Sequence, residues 1–133
     1  MVDITKEAIL SVASRTRTAA KRRWQAVEVS AEGKRPTFKS DVWSFAMTIH
    51  EVVTGNAPFE PQLADDFQVV SQLMRGHRPE KPIGRVPDAL WESMLRCWDS
   101  EPDKRPDVIQ VLERLKEAQA QDRILPSVSE TLL

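Results

Sequence analysis

The chain has no tyrosine, one cysteine and four glycines among its 133 residues. Gly33, Gly55, Gly76 and Gly84 never stand at G-x-G spacing, so no phosphate-cradling loop is legible. A lone Cys97 cannot close an internal disulfide, and a reducing compartment, cytoplasm or nucleus, is the expectation. No apolar run approaches the roughly 18 residues of a membrane span. The opening MVDITKEAILSVASRTRTAAKRR is broken by Lys6 and Glu7 and is not expected to be a secretory signal. Neither sign of charge is in excess. Nineteen basic and twenty acidic residues leave a net charge of -1, a balance that requires neither nucleic acid nor a membrane surface as partner. His, Cys, Asp and Glu nowhere gather at metal-ligand spacing, so no metal is expected.

What is present reads as one all-α domain. Residues 39–55, KSDVWSFAMTIHEVVTG, predict a helix with Ser40 as N-cap and Gly55 just past its end. Val42, Trp43, Phe45, Ala46, Met47, Ile49, Val52 and Val53 surround this helix instead of striping it, which belongs to the centre of a core. A second helix is expected over residues 65–75, with Phe67, Val70, Leu73 and Met74 on one side. A third, over residues 88–98, groups Leu90, Trp91, Met94, Leu95 and Trp98. A fourth starts at RPDVIQ, where Asp107 and Gln110 stand at capping-box spacing before Val108, Val111, Leu112 and Leu115. Proline-rich loops separate them.

The first 23 residues differ in character. Arg15 to Arg23 carries five basic residues and no acid, with Ser14, Thr16 and Thr18 interspersed, and residues 1–23 are expected to be a flexible basic segment. Residues 24–118 form the expected domain, and 119–133 a disordered tail.

Three stretches stand in order: RWQAVE, KSDVWSFAMTIHEVVTG and CWDSEPDKRP. Together they resemble the C-terminal lobe of protein kinases, in the tyrosine-kinase-like and tyrosine-kinase branches, over about residues 14 to 118. The resemblance implies a central buried helix with three packed helices and no N-terminal β lobe. It matches Glu28 to the Glu of the Ala-Pro-Glu motif and Arg105 to the Arg that pairs with it, a clasp suited to bidentate hydrogen bonding. Asp41 matches the Asp that opens the long helix and accepts backbone hydrogen bonds from the catalytic loop. Arg23, Trp24 and Gln25 match the stretch that cradles the substrate. Thr16 and Thr18 fall where activation-segment phosphorylation occurs.

The sequence departs from the family at several points. Val27 replaces the motif's proline, Ala46 stands where glycine is frequent, and Lys21 stands where serine/threonine kinases carry a threonine. Two short strings are decoys. His77 to Pro79 is similar to His-Arg-Asp, but Pro79 cannot act as a base. Asp66 to Gln68 is similar to Asp-Phe-Gly, yet it opens a helix downstream of Glu28. Phosphoryl transfer needs a phosphate-binding lysine, Mg²⁺ ligands and a base. With none of these legible, the chain is expected to be inactive alone, with no catalytic or ATP-binding residue and no cofactor. ATP and Mg²⁺ are implied only for an intact kinase. The alternative is a non-catalytic module that binds a kinase or substrate through an exposed apolar face. Nucleic-acid binding through the basic run is the weaker third reading, because only Trp24 supplies an aromatic there.

Overall fold

The computed structural model describes residues 22–60, 62–63 and 65–121. Thr16, Thr18, most of the basic N-terminal segment and most of the C-terminal tail lie outside this range. The described residues form α1 (Val27–Ser30), α2 (Phe38–Thr54), α3 (Asp66–Met74), α4 (Asp88–Cys97), a 3-10 turn (Pro102–Lys104) and α5 (Val108–Ala120). No strand occurs among them. None of the described helices is long and apolar enough to cross a membrane.

The central helix α2 begins two residues before Ser40, at Phe38. Its N-cap is Thr37, in extended backbone at φ -130° and ψ 176°. Thr37 Oγ1 accepts from the Ser40 backbone N–H at 3.2 Å, and Ser40 Oγ accepts from the Thr37 N–H at 2.6 Å. Ser40 is thus the N3 member of a reciprocal capping box. In that role its hydroxyl returns the cap's bond in place of the more usual Glu or Gln. The helix ends where expected, at Gly55 in the left-handed region with φ 77°, a conformation glycine adopts without Cβ strain.

Trp43, Ala46, Met47, Ile49 and Val53 of α2 are excluded from solvent, and Val42 and Phe45 nearly so. The other elements pack around this axis: α4 and the 3-10 turn lie on α2, α5 lies on α4, and α3 packs against α1. From α4 come Leu90, Met94 and Cys97, and from α5 Val111, Leu115 and Ala118. Trp98, the C-cap of α4, sets its ring edge-on to Trp91, with centroids 5.7 Å apart and planes at 78°. At the head of α5, Asp107 and Gln110 make the expected capping box.

Helix α3 shows a different buried face from the one its pattern implies. Val69 and Leu73 are buried, whereas Phe67 is 68% and Met74 65% exposed. Val69 and Leu73 sit one turn apart and alone reach the core. The Phe67 ring lies outside it, under the Arg22 guanidinium at 4.7 Å.

Candidate functional site

Two buried charges, Glu28 and Arg105, meet at the junction of α1, the start of α2 and the 3-10 turn. Arg105 Nη1 and Nη2 donate to the two carboxylate oxygens of Glu28 at 2.8 and 2.7 Å, a bidentate pair across 77 positions of sequence. Glu28 is 8% and Arg105 2% exposed. Arg105 Nε also donates to the Asp99 carbonyl at 2.9 Å, and Nη1 to the Lys39 carbonyl at 3.1 Å. Lys39 closes the loop, its Nζ donating to the Arg105 carbonyl at 2.7 Å. One guanidinium therefore ties α1, the first turn of α2 and the segment after α4.

Burial acts to raise the Glu28 pKa. The hydrogen bonds from Arg105, the backbone bond at Glu28 and the charges of Arg105 and Lys34 outweigh it, and the carboxyl is held below its usual 4.5.

Trp43 lies against this pair. The Arg105 guanidinium carbon is 4.9 Å and that of Arg78 4.8 Å from its ring centroid. Both distances are within cation–π range. Arg78 is the residue that sequence reasoning overlooked, passing it over inside the His77–Pro79 decoy. Its Nε donates to the Trp98 carbonyl at 2.8 Å, Nη1 to the carbonyls of Leu73 and His77, and Nη2 to Ser100 Oγ at 3.1 Å. It stitches the end of α3 to the end of α4. No local pattern marks such a role, because its acceptors are backbone carbonyls and a single hydroxyl.

Arg23, 5% exposed, points its donors inward: Nε to Asp66 Oδ1 at 2.8 Å, Nη1 to the Pro58 carbonyl and Nη2 to the Leu63 carbonyl. Asp66 of the second decoy is thus the nearer of two ion-pair partners of Arg23, the other being Glu60 at 3.9 Å. Trp24 is half-buried; its Nε1 donates to Glu51 Oε1 at 3.1 Å, and its carbonyl accepts from Ser44 Oγ at 2.7 Å. Gln25 is half-buried beside them. The structure thus fastens Arg23 and Trp24 to the main body ahead of α1.

Asp41 stands apart from these networks. Its backbone N–H joins the first turn of α2 by donating to the Thr37 carbonyl at 3.0 Å. Its carboxylate is half-buried and has no hydrogen-bond partner among the described residues. Burial alone pushes its pKa above 3.8.

His50, near the end of α2, donates from Nε2 to the Glu80 carbonyl at 2.7 Å, which leaves Nδ1 as a buried acceptor with no partner among the described residues. Burial, only partly opposed by that hydrogen bond, lowers its pKa below 6.5. No group of His, Cys, Asp and Glu able to hold a metal ion occurs among the described residues.

The family model described as protein tyrosine and serine/threonine kinase matches residues 3–115. The chain belongs to that kinase family. In this kinase chain, the match spans the Glu28–Arg105 pair, Asp41 and the whole of α1 to α4.

Proposed function

We propose that these residues form the helical C-terminal part of a protein-kinase large lobe, serving protein phosphorylation as a folding and docking unit. On this reading the 133-residue chain does not itself bind ATP or transfer phosphate. The observation that carries the reading is the buried bidentate Glu28–Arg105 pair, which joins the end of an activation segment to the last part of the lobe. Asp41 supports it: a half-buried carboxylate with a raised pKa is suited to accepting backbone hydrogen bonds from a catalytic loop in a completed kinase. Trp24 and its neighbours then serve substrate docking, and Thr16 and Thr18 the phosphorylation of the activation segment.

A second reading, a non-catalytic module that binds a kinase or its substrate, is favoured by the apolar side chains left on α3, Phe67 and Met74. Either way the working compartment is the cytoplasm or nucleus. Isothermal titration of the purified chain with MgATP tests the central claim. No binding heat and no phosphate transfer to a general protein substrate are expected, whereas saturable binding with turnover overturns it.

A further inference from the structure

The link between α1 and α2 is the most exposed stretch of the described chain. Every residue from 31 to 38 is exposed, and residues 33–37 have no regular structure. Within it stand Lys34, Arg35, Pro36, Thr37 and Phe38. Lys34 pairs with Glu32 at 3.1 Å on the open surface, and its charge also acts on Glu28. Arg35 has no ion pair or hydrogen bond from its side chain among the described residues. Phe38 is 90% exposed and belongs to no core cluster. The fold makes little use of the Arg35 and Phe38 side chains, although burying the Phe38 ring would be favourable.

Thr37 holds an extended backbone conformation. The fastenings of the link are short-range: the Lys34 N–H donates to the Glu28 carbonyl at 3.1 Å, and Thr37 and Ser40 share the capping box. A hydroxyl in extended, exposed chain, with cations two and three residues before it and a free aromatic ring one residue after it, has a definite complement. That complement is a cleft with acidic groups on one side of the acceptor and an apolar pocket on the other.

We propose that Thr37 is a phosphorylation site for a basic-residue-directed protein kinase, recognised through Lys34 and Arg35 upstream and Phe38 downstream. The donor is MgATP. A base of the modifying kinase takes the Oγ1 proton as that oxygen bonds to the γ-phosphorus. The bond from γ-phosphorus to the bridging oxygen breaks, and ADP leaves. Access requires the first turn of α2 to fray, which surrenders the bonds between Thr37 and Ser40 and the one from the Asp41 N–H to the Thr37 carbonyl. Once attached, the dianion sits at the head of the 17-residue α2, close in sequence to Lys34, Arg35 and Lys39. Negative charge is favoured at that end of a helix, and nearby cations add to the effect.

The test incubates the full chain with MgATP and a basic-residue-directed protein kinase, and follows initial rates at each site by tandem mass spectrometry. Phosphate is expected on Thr37. Arg35→Ala, which disturbs no contact in the fold, is expected to lower kcat/KM at that site about tenfold or more, the loss of one charge-assisted contact. Thr37→Ser, which keeps both cap and acceptor, should remain a substrate. Phosphate confined to other positions such as Thr16 or Thr18, or an unchanged rate in Arg35→Ala, overturns the assignment. The phosphorylated chain should melt at a higher temperature, by an increment that shrinks with added salt. A lower melting temperature overturns the helix-tightening effect.

Discussion

Arg105 spends its donors on Glu28 and on the carbonyls of Asp99 and Lys39, so losing it strands more than one acceptor. Removing either partner of such a buried pair leaves a charge uncompensated, at a cost of about 3–5 kcal/mol. Denaturant melts of Glu28→Ala and Arg105→Ala are expected to show losses of that size. The double variant should lose less than the sum of the two. If all three melt like the parent, the pair carries no stability. Acid should loosen the same bond. The Glu28 carboxyl titrates below 4.5 when folded and near 4.5 when unfolded. Its contribution is therefore complete above 4.5 and is lost as the pH falls through the lower folded value. Asp41 has the opposite sign. Its folded pKa lies above 3.8, so stability declines as the pH rises from 3.8 through that value. Equilibrium unfolding of Asp41→Asn should lack that decline, and a pH profile identical to the parent's would count against a desolvated carboxylate.

At the scale of elements, an all-round apolar segment was readable and an ambiguous apolar stripe was not. Helix α2 shows how: an all-round apolar segment ended by Gly55 could be little other than a core helix. Its start was misplaced because Ser40 and Thr37 are both capping residues, and only the backbone angles distinguish N-cap from N3. In α3 the apolar residues Phe67, Val69, Val70, Leu73 and Met74 allow two stripes, and packing against α1 selects Val69 and Leu73. The distinction can be measured on adjacent residues. Leu73→Ala should cost about 2–5 kcal/mol, while Met74→Ala, 65% exposed in the parent, should stay within about 0.5 kcal/mol. Equal losses would mean that both side chains are buried. Arg78 could not be recognised from sequence at all, since it acts chiefly through backbone carbonyls brought together only by folding.

At the scale of the whole molecule, the apolar face of each described helix drains towards one core, and Cys97 lies inside it, shielded from solvent. Burial, the largest influence, pushes its thiol up to about 12. A thiol that holds its proton so firmly is a poor nucleophile. Labelling by a water-soluble thiol reagent should therefore follow global unfolding and accelerate with denaturant along the unfolding transition. Rapid labelling in native buffer would place Cys97 near a local opening. The pairing of Glu28 with Arg105 could be anticipated because the two stretches that carry them are distinctive in sequence. The geometry around it, with two guanidiniums on Trp43 and Lys39 bonded to Arg105 in both directions, depends on residues brought together from separate elements.

The edge-on pair of Trp91 and Trp98 gives the molecule an optical signature. Two indoles 5.7 Å apart and inclined at 78° in a chiral frame couple their electronic transitions. The coupled pair should produce circular-dichroism bands of opposite sign. Trp91→Phe should abolish that couplet while leaving the helical signal intact. The pair spans the last turns of α4 and its C-cap, beside the Trp98 carbonyl that receives Arg78. The couplet should therefore fade first if that end of the helix comes apart before the rest.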